Sequence, residues 1–528
     1  MKLKHSIPAL VAALALTACS DFLEPQSESE FVPEDATSLN ELLLGEAYQR
    51  NDSDDEFTIF LSLLDDDVEA SPYQTPLSGF DGNLYLASFT WQPDMYQMME
   101  KAGGGKANIY KNYYKLILGT NAVIDYLPKV KDTQDNINKV KAQAYALRGF
   151  YYFNLVNIFG QPYNANPDAP GVVLKLQSGI EPDPDFLKRK SVAQVYEQIL
   201  DDLHTAEETY MELPENEHWS DNYRTSLPMV QLMLSRTYLY MENWERAAEY
   251  AKLVMDNKQF KLLDLNNVPI ESTDDTGNPV RNYYVFPTYK CSETIWPYGN
   301  IEDMFKWTYN GANTENTDNN NEKMYAYFQA SQELLGTYVD YDLRIRRYIT
   351  QAPVGNLKTK NGEDSLMYMA YGKVNIGTPY YLPKRDDTSV FGRCLRLSEA
   401  YLNYAEAMAM RGEEFADDAT SALNTLREKR FDPEDFEAEE FDSQEELVQF
   451  IRDERRRELC FEGHRWFDLR RWGMPSFTHK WHHSKESTST YRLEEGDLLY
   501  TVPIPDEALQ SNGELVQNEL PGKRTPIE

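Results

Sequence analysis

A mostly α-helical chain, built from irregular helical hairpins with long loop-rich insertions and few short strands, is the fold class the sequence predicts. Three observations predict it. Apolar residues recur three and four apart through much of the first half and again between Leu395 and Arg427. Small alanines alternate with large aromatics in those segments, the composition of tightly packed helix pairs. Between them, the stretch from about Leu262 to Asp387 is rich in Asn, Asp, Gly, Pro, Tyr and Trp and has little helical period.

In chain order, Lys2 and Lys4 precede an apolar run from Ile7 to Leu16 that is too short to span a bilayer and suits a signal-peptide core, assigning 1–18 to targeting. The run ends in Leu16-Thr17-Ala18-Cys19, the small residues before a cysteine that a lipoprotein signal peptidase needs. Cys19 is therefore expected to carry the acyl chains that hold the protein at a membrane without a transmembrane helix. Residues 19–36 are polar and Ser/Glu-rich and read as a flexible tether, spanning on the order of 20 Å. Residues 37–528 are expected to form one domain: a helical half at 37–261, a loop-rich insertion at 262–390, a helical region at 391–473 and a C-terminal wrap at 474–528.

Within the helical half, Tyr113, Leu116, Ile117, Asn121, Ile124 and Leu127 share one helix face. Ala142 to Phe159 is a denser helix closed by Gly160 and Pro162, and Ser191 starts another through Val195, Ile199, Leu203 and Ala206. Leu232 to Tyr240 with Trp244 to Lys252 makes a hairpin that looks like a tetratricopeptide unit, and Leu395 to Arg427 is a second. The two are not evenly spaced, so the long insertion interrupts any regular array. Long irregular segments on a helical scaffold are where binding surfaces form. Ala70 to Trp91, the segment after Gly160, and His218 to Arg224 are smaller loops of the same kind. Ser443 and Glu446 are spaced as a capping box, and from Met474 the chain carries short extended pieces such as Leu498 to Ile504 that are expected to wrap the body.

With 52 Lys and Arg against 86 Asp and Glu, the net charge of −34 argues against nucleic acid or anionic headgroups as partners. No cofactor is called for, although the acidic clusters Asp52, Asp54, Asp55, Glu56 and Asp65, Asp66, Asp67 leave room for a structural calcium. Cys291, Cys394 and Cys460 are odd in number and widely separated, so they read as buried free thiols. His479, His482 and His483 lack an acidic or cysteine partner at metal-ligand spacing and read as a solvated loop. No nucleophile elbow, P-loop or dinucleotide fingerprint occurs, so no catalytic residue is assigned. The 36 tyrosines supply many flat, polar-tipped rings of the kind that stack on sugars.

Ile451 to Gly473, IRDERRRELCFEGHRWFDLRRWG, resembles the signature of the SusD/RagB family of lipid-anchored nutrient-binding proteins. Asn121-Ala122-Val123-Ile124-Asp125, Ala146 to Phe153 with Phe159-Gly160 and Pro162-Tyr163, Arg396 to Ala407, Pro503-Ile504-Pro505 and Gln517-Asn518 are similar to that family in the same order. Read physically, the signature is a charged scaffold, with Asp453 paired to Arg457, Arg455 to Glu458, and Arg465 or Arg470 near the faces of Trp466 and Trp472. Ser20-Asp21 and Glu24 resemble an acidic tag for export to the exterior of the outer membrane. The resemblance implies a non-catalytic surface receptor that passes a glycan to a TonB-dependent, SusC-like outer-membrane transporter. A RagB-like peptide receptor and a surface glycoside hydrolase are the alternatives. For the glycan reading, the expected platform is Tyr73 and Trp91 from the early loop with Trp296, Trp307 and Tyr309 from the insertion, and Asp303 and Asn310 as partners for sugar hydroxyls.

Overall fold

The computed structural model describes residues 31–50, 60–70, 83–103, 108–180, 183–268, 271–273, 279–281, 286–300, 328–358, 364–369, 389–483 and 487–527. Its main helices are α1 (Ala36–Glu46), α2 (Ile109–Tyr126), α3 (Gln134–Phe159), α4 (Val192–Met211), α5 (Leu227–Tyr240), α6 (Trp244–Met255), α7 (Leu397–Arg411), α8 (Ala416–Glu428), α9 (Gln444–Leu459) and α10 (Arg465–Arg471). The described strands are short and pair two by two, so no extended sheet competes with the helices. The predicted class is the observed one.

Local chemistry sets the helix starts. Ser191 accepts from the Gln194 N–H while the Gln194 side chain returns to the Ser191 N–H, a capping box that opens α4 at the residue the sequence marked. Thr133 caps α3, which then runs unbroken to Phe159 and stops at Gly160. Ser443 accepts from Glu446 N–H, but Glu446 reaches the Asp442 N–H instead of closing the box.

The helices form one succession, α1 against α2, α2 against α3, α3 against α4, α4 against α5 and α5 against α6. α7 then packs directly on α6 and in turn carries α8 and α9. The two hairpin units, far apart in sequence, are thus neighbours in space, and the insertion leaves the array and returns to it. Polar bolts reinforce this stacking. Arg148 of α3 forks onto Asp202 of α4 at 2.7 and 2.9 Å and reaches Asn121 of α2 at 2.9 Å, while Arg236 of α5 grips Glu399 of α7 with two bonds of 2.6 Å. Helix α1 lies so close to α2 that a Cβ on Gly119 would stand 2.2 Å from the Glu46 carbonyl oxygen, which is why that position is glycine.

The C-terminal segment is bonded to several distant elements. The Val502 N–H donates to the Ile158 carbonyl, Asn518 donates to Phe159 and Val502, and Arg524 Nε donates to the Trp91 carbonyl at 3.0 Å. Cys291, Cys394 and Cys460 are buried thiols outside any disulfide. Among the described residues no helix is long and apolar enough to cross a membrane.

Candidate functional site

The loop-bearing face is built on a short ladder. Strand β1 (Val68–Ala70) pairs antiparallel with β2 (Phe328–Ala330), in the register Val68↔Ala330, Glu69↔Gln329 and Ala70↔Phe328. Ala70 is the last described residue before 71–82, and Phe328 is the first after 301–327. One rung therefore pairs a residue flanking 71–82 with a residue flanking 301–327, the segments in which the sequence places Tyr73, Asp303, Trp307, Tyr309 and Asn310. Those five residues, and Cys19, lie outside the described residues.

Beneath the ladder, the hairpin of β3 (Phe477–His482) and β4 (Thr488–Leu493) supplies an aromatic floor. The His479 ring lies between Phe89, 4.1 Å away and nearly parallel, and Trp91 at 4.3 Å. Phe328 and Trp481 complete the cluster around Phe89. His479 is thus a buried strand residue, not part of a solvated loop. Its ring nitrogens face the carbonyls of Phe89 at 2.7 Å and Asp65 at 2.9 Å, yet burial outweighs both acceptors and pushes its pKa down to about 4.

Two expected platform residues are corrected. Trp91 is 0 % exposed, its faces are taken by His479 and Phe477, and its indole N–H donates to the Leu64 carbonyl at 2.9 Å. Trp296 is 1 % exposed, stacks on Tyr298 and donates to the Tyr223 carbonyl at 2.8 Å. Neither has a ring face to offer a ligand. The alternation of apolar and polar neighbours around Trp91 carried no signal of this, because what covers it comes from nearly 400 residues downstream.

Beside the ladder, the Asp65-Asp66-Asp67 turn is consumed by arginines of the signature rather than forming an oxygen cage. Arg465 forks onto Asp66 at 2.6 and 2.7 Å, and Arg456 meets Asp67 at 2.8 Å. Burial pushes the Asp66 carboxyl up, but the two guanidiniums overcome it and hold it at about 2. Among the described residues no group of three or more His, Cys, Asp or Glu converges as a metal site. The other acidic cluster, at Asp52 to Glu56, lies outside the described residues.

The rest of the signature is a buried ionic lattice. Arg344 contacts Asp342, Glu454 and Glu458, while Arg396 contacts Glu293, Glu458 and Glu462, and Arg430 joins Glu293 to Glu458, all at 2.6–3.1 Å. Burial alone would raise the Glu458 pKa, but Arg430, Arg396 and Arg344 hold it well below the carboxylate range. The scaffold role is as read from sequence, with different partners. Arg457 pairs with Glu454, Arg455 with Asp468 and Asn403, and the cations over Trp472 are Arg452 and Arg471. Gly463, at φ +83°, leaves room that the Arg393 guanidinium occupies; any Cβ there would collide with it.

Fold and site together define a helical-repeat scaffold whose short β1–β2 ladder sits beside an arginine-clamped acidic turn. The chain belongs to the SusD/RagB family: the SusD family matches residues 258–522, and the family described as "Starch-binding associating with outer membrane" matches residues 22–239. It is 25 % identical to SusD-like protein P38 of Formosa agariphila, over 87 % of this chain and 89 % of that one, and 24 % identical to SusD-like protein P2 of the same organism, over 77 % and 78 %. Its fold is similar to a crystal structure of a SusD-like carbohydrate binding protein from Bacteroides vulgatus, with a TM-score of 0.65 at 19 % identity, covering 91 % of this chain and 97 % of that one. A SusD superfamily protein from Bacteroides thetaiotaomicron gives 0.66 at 20 % identity, covering 92 % and 100 %.

Proposed function

We propose that the chain is a non-catalytic surface lipoprotein, anchored to the outer membrane through Cys19, that captures an oligosaccharide and delivers it to a SusC-like, TonB-dependent transporter. The observation that supports the reading is the Ala70↔Phe328 rung, which pairs the residues flanking 71–82 and 301–327 in a chain that belongs to the SusD/RagB family. The description of the family matching 22–239 and the name of the B. vulgatus carbohydrate binding protein support a saccharide as cargo and the outer membrane as location. In this reading Tyr73, Trp307 and Tyr309 stack on sugar rings, and Asp303 and Asn310 bond hydroxyls.

The test is retention of oligosaccharides by the purified chain before and after Tyr73→Ala and Trp307→Ala. Each lost ring contact is expected to cost about 1 kcal/mol, roughly fivefold in affinity. Unchanged retention in both variants overturns the assignment. Product analysis after prolonged incubation is expected to show the glycan intact; released fragments would establish a hydrolase instead. An array offering glycans and peptides together is expected to light up on glycans, and a peptide-only signal would favour the RagB-like alternative. Cys19→Ala is expected to move the protein from the membrane to the soluble fraction.

A further inference from the structure

A second cleft lies where the tether joins the body. It encloses about 300 Å³ and is bounded by Thr37 and Asn40 of α1, Asn136 and Lys139 of α3, and the loop through Trp219 and Arg224 that leads into α5. Its floor is fully wired: Tyr48 donates to Gln143 at 2.8 Å and accepts from the Thr225 N–H, and Tyr210 donates to the Thr225 carbonyl at 2.7 Å. The Leu227 N–H donates to the His218 carbonyl at 3.0 Å, which sets Trp219 beside the start of α5. The half-buried Trp219 ring packs against Phe260, centroids 5.4 Å apart and nearly perpendicular.

Against this wiring, one group is left over. Ser226 lines the cleft and is 3 % exposed, and its Oγ has no hydrogen-bond partner. It stands at the N-cap of the 14-residue α5 yet makes no capping bond: Pro228 at the second helical position has no N–H to give, and the Met229 N–H at the third does not reach it. A buried hydroxyl without a partner costs about 1–3 kcal/mol, so the position favours a ligand that supplies one. Two charges on the rim differ in kind. Lys139 is neutralised by Glu217 at 2.9 Å, whereas Arg224 is held by the neutral Asn40 at 2.5 Å. With the positive end of α5 at the same place, the cleft favours partial or full negative charge. By contrast, the larger cleft of about 640 Å³ between Tyr110, Tyr114, Phe186 and Leu515 has apolar walls, and Lys111 and Asn512 there are already paired with Glu507 and the Leu187 carbonyl.

We infer that this cleft is a second saccharide subsite, taking a sugar ring with an acidic substituent: the ring against Trp219, a hydroxyl on Ser226 Oγ, and the carboxylate or sulfate toward Arg224. The inference rests on the saccharide reading for its ligand class and adds a site independent of the loop face. It is tested by titrating the full mature chain in detergent with oligogalacturonate and oligomannuronate, and with their methyl esters. In a Tyr73→Ala/Trp307→Ala background, the acid forms are expected to retain binding about tenfold tighter than the esters. Arg224→Met is expected to abolish that preference, and Ser226→Ala to weaken binding severalfold. Trp219→Ala is expected to remove binding; since Trp219 also packs on Phe260, the Arg224 and Ser226 variants decide the matter if it loosens the loop. Residual binding that ignores Arg224→Met and Ser226→Ala, or no residual binding in the loop-variant background, overturns the subsite and leaves the loop-face reading standing. A wild-type chain that binds no saccharide overturns both.

Discussion

Glu458 meets three guanidiniums in the buried lattice, and its removal leaves Arg344, Arg396 and Arg430 short of countercharge. Glu458→Ala is expected to cost about 3–5 kcal/mol in urea unfolding, because breaking a buried ion cluster strands charge without solvent. Asp453→Ala, four residues before Arg457 on the exposed side, is expected to change stability by less than about 0.5 kcal/mol. Histidine sets the pH response. Burial pushes both His464 and His479 down, aided at His464 by Arg236 and Arg455, so the unfolded chain takes up protons near pH 6.5 while the folded chain does not. Stability is therefore expected to fall as pH drops from about 6.5 toward 4. Unfolding curves across that range should show a shallower slope for His464→Gln; an unchanged slope would remove His464 from the account. At this scale the sequence told that the signature is structural but misassigned its partners. Local spacing can pair only residues three or four apart, whereas Arg344 comes from an insertion without helical period and Asp66 from nearly 400 residues upstream.

Helices were legible because their period, caps and stops are local: Ser191 and Gly160 fall where the residues put them. Three-residue strands were not. A ladder such as Val68–Ala70 with Phe328–Ala330 has too few residues to show alternation, and its partner strand lies within the distant insertion. That is also why only part of the site was readable. The loops were identifiable by composition, but burial of Trp91 and Trp296 depends on tertiary neighbours, and the Trp219 cleft draws on three separate helices and a loop. The tightest helix crossing offers a direct check. Gly119→Ala forces a Cβ into the Glu46 carbonyl and is expected to displace α1 and destabilise the chain by about 1–3 kcal/mol, seen as earlier amide exchange across residues 36–46.

At the scale of the whole molecule, residues 523 and 524 tie distant segments together. Arg524 donates to the Trp91 carbonyl and to Asp497 at 2.5 Å, and Lys523 reaches Asp94, so the last residues strap the first hundred to the hairpin at 477–493. A chain ending at Gly522 is expected to unfold at lower temperature and to exchange amides faster at residues 89–95 and 488–493, while α7 and α9 keep their protection. Equal protection everywhere would make the strap idle. The arginine lattice has a consequence for the exterior as well. Most of the guanidiniums drawn inside have a carboxylate drawn inside with them, so the net −34 is carried by a surface from which many of the cations have been withdrawn. Neighbouring copies crowded at a membrane would thus repel one another through a cloud of counterions reaching about 8 Å at physiological salt, a spacing force that dilute buffer would lengthen and divalent ions collapse.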